Sequence, residues 1–164
     1  MVERPTLHMM CGKIAAGKST LSAKLGEAGN TIVISEDHWV DQLYPGEIKS
    51  VADFFRRSER LRTTLTPHIV DLLRAGVSVV LDFHANTVAS RLWMRRLFEE
   101  AHASHELHLL DVPDEVCRAR MHARNAALAD DDFATNDADF DHITSFFVAP
   151  GESEGFNVIR HGAG

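Results

Sequence analysis

Eight consecutive residues hold the most specific chemistry in this 164-residue sequence: Gly12-Lys13-Ile14-Ala15-Ala16-Gly17-Lys18-Ser19, a full match to GxxxxGK[ST]. Glycines let the backbone curl so that successive amides point inward at phosphate oxygens. In such a loop the Lys18 ammonium reaches the β and γ phosphates, and the Ser19 hydroxyl ligates Mg²⁺. The pattern implies ATP or GTP binding through Gly12, Lys13, Ile14, Ala15, Ala16, Gly17, Lys18, Ser19 and the adjoining Thr20, with Mg²⁺ at Ser19.

Carboxylates supply the next requirement. An alcohol attacking a γ phosphate must lose its proton, and a carboxylate within hydrogen-bond reach can accept it. Asp37, in Ile34-Ser35-Glu36-Asp37-His38-Trp39, is the candidate. Asp41, one helical turn on, shares its face, whereas Glu36 points differently. Asp37 can also cap the short helix that follows. Asp82 closes a β-branched run and can hold Mg²⁺ or face a substrate. His84 and Asn86, just beyond it, can contact substrate.

Other side chains have weaker claims. Arg120 and Arg124, four apart, share a helix face, while Arg118 is turned away and can pair with Asp114 or Glu115. Trp39, Phe54 and Phe55 can wall a substrate pocket or pack in a core. Arg56, Arg57, Arg60 and Arg62 read as a solvated charged face beside Asp53 and Glu59. His102, His105 and His108 straddle a helix end, a turn and a strand start, which suits no shared metal geometry. Cys11 reads as an inert core thiol.

The elements that position these groups alternate. Thr6–Cys11 reads as a strand, followed by the glycine turn and a helix over Lys18–Glu27. Thr31–Ile34 is a second buried strand, with a short helix over 37–43 stopped by Pro45-Gly46. Ser50 caps a long helix that runs to Gly76, with Asp53 three residues on. Val77–Asp82, Glu106–Leu110 and Asn157–Ile159 complete the strands, and 88–103 and 113–125 complete the helices. Strands repeatedly followed by helices give a parallel sheet covered on both faces. Ligands then gather at the carboxyl ends of the strands, where Gly12–Ser19, Asp37, Asp82 and the segment after Leu110 converge. The stretch 126–136 shows no periodicity and reads as the least structured.

The length fits one domain. With 17 Lys+Arg against 24 Asp+Glu the formal net charge is −7, which disfavours nucleic acid or an anionic membrane as partner. Residues 1–129 balance, so the excess sits in the last 35 residues, in Asp130, Asp131, Asp132, Asp137, Asp139 and Asp141 above all. These carboxylates form a solvated loop or attract a cationic acceptor such as an amino sugar. Two distant cysteines, no leader pattern and no stretch approaching 18 apolar residues suggest a cytoplasmic protein without a membrane span. A GTPase would show NKxD and a motor would need a longer chain, so a small kinase remains.

On these motifs the chain resembles the small P-loop kinases that include polynucleotide 5′-kinases, zeta-toxin-type sugar-nucleotide kinases and chloramphenicol phosphotransferase. The resemblance implies a three-layer αβα fold with a five-stranded parallel sheet in order 2-3-1-4-5, in one domain over 1–164. It also implies a short lid over about 120–136, with Arg120-x3-Arg124-Asn125 as the arginine segment that closes on ATP. Asp37 stands where such kinases hold their general base, making Lys18, Asp37, Arg120 and Arg124 the expected catalytic set. Relatives often hold phosphate with an Arg three residues further on, and here that position is Val40. The implied activity is ATP- and Mg²⁺-dependent phosphoryl transfer to an alcohol of a small molecule. Substrate contacts fall on Asp37, Trp39, Asp82, His84 and Asn86. Two alternatives remain: a polynucleotide 5′-end or sugar-nucleotide kinase, and an ATP-binding or ATP-hydrolysing regulatory module without a small acceptor.

Overall fold

A computed structural model of the chain describes residues 3–129 and 133–162. Asp130, Asp131 and Asp132, the start of the acidic stretch and part of the expected lid, lie outside the described residues. Strands β1 (Thr6–Cys11), β2 (Thr31–Ser35), β3 (Ser78–Asp82), β4 (Ser104–Asp111) and β5 (Val158–Gly162) form one parallel sheet in the order β2-β3-β1-β4-β5. The expected order is the observed one. Central β1 aligns Met9 with Leu81 of β3 and with Leu107 of β4.

Helices are α1 (Lys18–Leu25), α2 (Glu36–Leu43), α3 (Val51–Arg74), α4 (Val88–Ala101), α5 (Asp114–Ala126) and α6 (Asp137–Thr144), with a 3-10 turn at Glu152–Glu154. Because side chains alternate along a strand, each strand presents two different faces. Leu7, Met9, Val79, Leu81, Leu107 and Leu109 face α3 and α4, meeting Leu61, Leu65, Ile69, Met94 and Leu97 in the main core. Ser50 caps α3 as expected, its hydroxyl accepting the Asp53 amide N–H at 3.1 Å. The opposite layer is thinner: Ala16, Leu110, Val112, Cys117, Met121 and Phe140 form a separate cluster under α1, α5 and α6. Among the described residues no helix is long and apolar enough to cross a membrane.

Helix α6 corrects the reading of the acidic stretch as a loop. A capping box between Asn136 and Asp139 starts it, which weak apolar periodicity concealed. Phe140 anchors it, fully buried, with the Arg118 guanidinium 4.4 Å from its ring centroid. Arg118 pairs with Asp137 at 3.3 Å and with Asp141, and His122 approaches Asp137 at 3.1 Å. Arg118 therefore pairs with α6, not with Asp114 or Glu115. Asp137 and Asp141 are neutralised locally by α5.

Arg91 of α4 is a fully buried cation that no periodicity argument selects. Its guanidinium meets both carboxylate oxygens of Glu154, at 2.8 and 3.2 Å, and donates to the carbonyls of Ala85 at 2.9 Å and Val148 at 2.7 Å. It thereby ties the segment after α6 to the loop after β3. Removing one partner of a buried pair leaves the other charge without compensation and costs about 3–5 kcal/mol. Arg91→Met should lower urea-unfolding stability at neutral pH by roughly that much. Arg91 holds the Glu154 carboxyl below its usual range, so this stability is present above the unfolded Glu pKa and lost as pH falls through the folded one. That acid-dependent loss should shrink in Arg91→Met.

Candidate active site

The phosphate loop leaves β1 at Gly12 and enters α1 at Lys18. Ala15 adopts φ 60° and Gly17 φ 106°, the second accessible in practice only to glycine. A Cβ on Gly12 would lie 3.2 Å from the Cβ atoms of both Ala16 and Leu110, so close packing also demands glycine there. The Asn86 carboxamide grips Gly12 from both ends: its oxygen accepts the Gly12 N–H at 2.9 Å, and its nitrogen donates to the Gly12 carbonyl at 2.8 Å. The Lys18 ammonium donates to the carbonyls of Gly12 and Lys13, at 2.6 and 2.7 Å. Burial pushes its pKa down to about 8, against the pull of Asp82 and Asp37.

This loop floors an open cleft of about 1630 Å³ lined by Ile14 to Leu21, α2, α3, the loop after β3, α5 and α6. The Ser19 hydroxyl donates to Asp82 at 2.8 Å. A hydroxyl beside a carboxylate is a hard-oxygen pair that fits Mg²⁺. Across from it, α2 directs Asp37 and Asp41, one helical turn apart, into the cleft, and Tyr44, the residue that ends the helix, joins them. Asp37 has its pKa raised to about 6, first by the protein crowded around it and then by the like charges of Glu36 and Asp82. The charges of Lys18 and Arg124, which line the same cleft, oppose that shift.

Glu36 is not free to act as the base. It is buried, accepts from the Ser58 hydroxyl, and takes the Arg62 Nε–H at 3.0 Å. His84 Nε2 lies 4.0 Å from the same carboxylate. Burial and the charges of Lys18, Arg62 and Arg124 hold the imidazole well below its ordinary range, so it stands neutral in the cleft. Arg120, Arg124 and Asn125 line the cleft, with Arg120 Nη1 3.5 Å from the Ala16 carbonyl.

Of the expected substrate contacts, Trp39 does not line the cleft and is 38% exposed, because it sits about 200° around α2 from Asp37. Asn86 lines the cleft, and both ends of its carboxamide bond to Gly12, which makes it a brace for the phosphate loop. Lys13 contributes its carbonyl to Lys18 while its ammonium leaves to pair with Asp114 at 2.5 Å. Phe54 and Phe55 do line the cleft, joined by Tyr44. Tyr44 lies seven residues after Asp37, a helical spacing that could have selected it. The burial of Glu36 by Ser58 and Arg62 had no local signal, since those residues are 22 and 26 positions away. Arg56 and Arg57 pair with Asp53 and Glu47, as a charged face would. Cys11 is fully buried, its thiol pushed up to about 11.

The fold and this loop define a P-loop kinase-like domain. The sequence pattern of the family AAA_33, described as an AAA domain, matches residues 7–150, and the chain belongs to that family. Solved structures with the same fold include a candidate kinase from Chloroflexus aurantiacus, with TM-score 0.79 and 19% identity over 99% of this chain and 87% of that one. Kti12 from Chaetomium thermophilum, in complex with ADP-AlF3, gives a TM-score of 0.73 at 13% identity over 96% and 89%. The APS kinase CysC of Mycobacterium tuberculosis, in complex with AMPPNP and APS, gives 0.60 at 20% identity over 97% and 88%. No curated protein matches by sequence.

A carboxyl whose pKa rises on folding destabilises the folded state once pH exceeds its unfolded value, because folding then opposes ionisation. Asp37→Asn should therefore raise Tm at neutral pH and leave it unchanged near pH 3, read by thermal unfolding at both.

Proposed function

We propose that this protein is an ATP- and Mg²⁺-dependent phosphotransferase acting on an alcohol group of a small molecule, with residues 120–136 as a short lid on a single domain. The observation that carries this reading is Asp37: a carboxylate lining the same cleft as the phosphate-loop lysine, with its pKa raised to about 6. The acceptor oxygen bonds to the γ phosphorus, the bond to the ADP oxygen breaks, and the acceptor proton passes to Asp37. Lys18 and the loop amides hold the phosphates, while Arg120 and Arg124 neutralise charge on the group in transfer. Ser19 and Asp82 would hold Mg²⁺, which supplies charge neutralisation between the β and γ phosphates.

Charge at the acceptor end supports a neutral or cationic acceptor over a polynucleotide. Asp37, Asp41 and Glu59 line that end, and the nearby Arg62 is engaged by Glu36. Val40, where relatives often place a phosphate-holding arginine, is fully buried. The free, buried cysteines fit a reducing cytoplasm.

The direct experiment is transfer from γ-labelled ATP across a panel of hydroxylated metabolites and antibiotics. One acceptor class should become labelled, and Lys18→Ala should abolish the transfer. With that acceptor, Asp37→Asn should lower kcat by about 10²–10⁴-fold while ATP still binds. Retained turnover in Asp37→Asn would remove Asp37 as base. The pH profile of kcat/KM should rise through about 6 as Asp37 ionises and fall through about 8 as Lys18 loses its charge. Arg124→Ala should lower kcat, whereas Arg118→Ala should lower Tm through loss of its α6 contacts and leave kcat near wild type.

A further inference from the structure

The sheet face opposite α3 and α4 carries a second group of side chains that the phosphotransfer reading does not use. Leu7, Met9, Leu107 and Leu109 point into the α3/α4 core, so alternation sends His8, Glu106 and His108 to the other face, and His161 of β5 lies beside them. Parallel sheets covered on both faces are normally apolar on both. Here three adjacent strands place four ionisable groups together.

Their geometry is specific. His8 Nδ1 and His108 Nε2 are 3.2 Å apart, and Glu106 Oε2 lies 3.1 Å from the first and 3.3 Å from the second. All three donor atoms converge on one point: an ionised carboxylate brings no proton and each ring nitrogen brings at most one, so the three close edges share at most two protons and one edge carries no hydrogen bond. A tetrahedral ion with ligands about 2.0–2.1 Å away sets them about 3.3–3.4 Å apart. Among the described residues these three are the one group of at least three His, Cys, Asp or Glu donors drawn together in this way.

From this triangle we infer a site for a divalent transition-metal ion, with Zn²⁺ as its occupant, bound by His8 Nδ1, His108 Nε2 and Glu106 Oε2. Two imidazoles and one carboxylate form a borderline donor set that suits Zn²⁺ and disfavours Mg²⁺. His108 Nδ1 meets His161 Nε2 at 2.9 Å, the outer partner that orients a metal-bound histidine. Side-chain exposure falls from 34% at Glu106 through 15% at His8 to 3% at His108, which gives the ion an approach from solvent. The sequence hid the site because its ligands come from two strands 100 residues apart.

The test uses full-length, tag-free, chelator-treated protein titrated with ZnCl₂ by calorimetry, with bound zinc measured by mass spectrometry. Wild type should bind one Zn²⁺ per chain with a rise in Tm, and Co²⁺ in its place should give visible d–d absorption. His8→Gln and Glu106→Gln, at part-exposed positions, should each abolish this binding while ATP affinity stays at the wild-type value. His161→Phe should weaken it by about 10–100-fold. Absence of zinc binding in wild type, or unchanged zinc affinity in both His8→Gln and Glu106→Gln, would overturn the assignment. Neither readout depends on phosphotransfer.

Discussion

A phosphate loop works only if its backbone amides are held in place before the phosphate arrives, and in this molecule one residue, Gly12, is clamped from three sides. Asn86 bonds both its N–H and its carbonyl, Lys18 bonds the same carbonyl, and Leu110 closes the space a side chain would need. Asn86 is in turn fixed from outside. Its own carbonyl accepts the Val148 N–H at 2.8 Å, and the carbonyls of Val148 and Ala85 are both drawn to Arg91. A fully buried guanidinium tolerates no missing partner, so the segment after α6, the loop after β3 and the phosphate loop are locked as one unit. Local backbone order at Gly12 thus depends on a cation on the opposite face of the sheet.

The cleft shows the complementary economy of charge. Lys18 attracts both Asp37 and Asp82 while the two carboxylates repel each other, and burial opposes ionisation of both Lys18 and Asp37. The result is a lysine near 8 and an aspartate near 6, each displaced toward neutrality by the same dry surroundings. An incoming phosphate favours the charged lysine and repels the charged aspartate. Phosphate binding therefore strengthens the anion-holding group and increases the proton affinity of the group that must accept a proton. Glu36, behind Asp37, is instead engaged by Arg62 and Ser58.

Much of this was legible in the chain. Strand positions, the glycine turn and the α3 cap follow from apolar runs, GxxxxGK[ST] and Ser50 with Asp53, all local signals. The face shared by Arg120 and Arg124 and the turning away of Arg118 follow from helical spacing alone. What failed was long-range. Asp137 and Asp141 read as solvated acid until α5 supplied Arg118 and His122, and α6 then formed with only Phe140 as an apolar anchor. Arg91 looks like one more helical arginine, and its burial depends on Glu154, 63 residues away. Trp39 is large and aromatic, while the phase of α2 gave the cleft to Asp37 and Asp41. Asn86 sat in the right loop, but its role depended on Gly12, 74 residues away.

The two faces of the sheet divide the physical work. Facing α3 and α4, every strand contributes apolar side chains to one continuous core, which supplies the bulk of the burial. The other face carries a small apolar cluster near the phosphate loop and, toward the start of β1 and β4, His8, Glu106 and His108. Those three positions could hold Val or Ile with better packing, and alternation would accept either without disturbing register. Polar groups held there weaken the hydrophobic contribution of the very strand that launches the phosphate loop. A cation bound among them would return that stability by joining β1 to β4 directly, and His161 would extend the tie to β5, whose end lines the nucleotide cleft. Metal occupancy and the rigidity of the loop-bearing strand are then two aspects of one equilibrium, since an ion that binds only the folded sheet stabilises it.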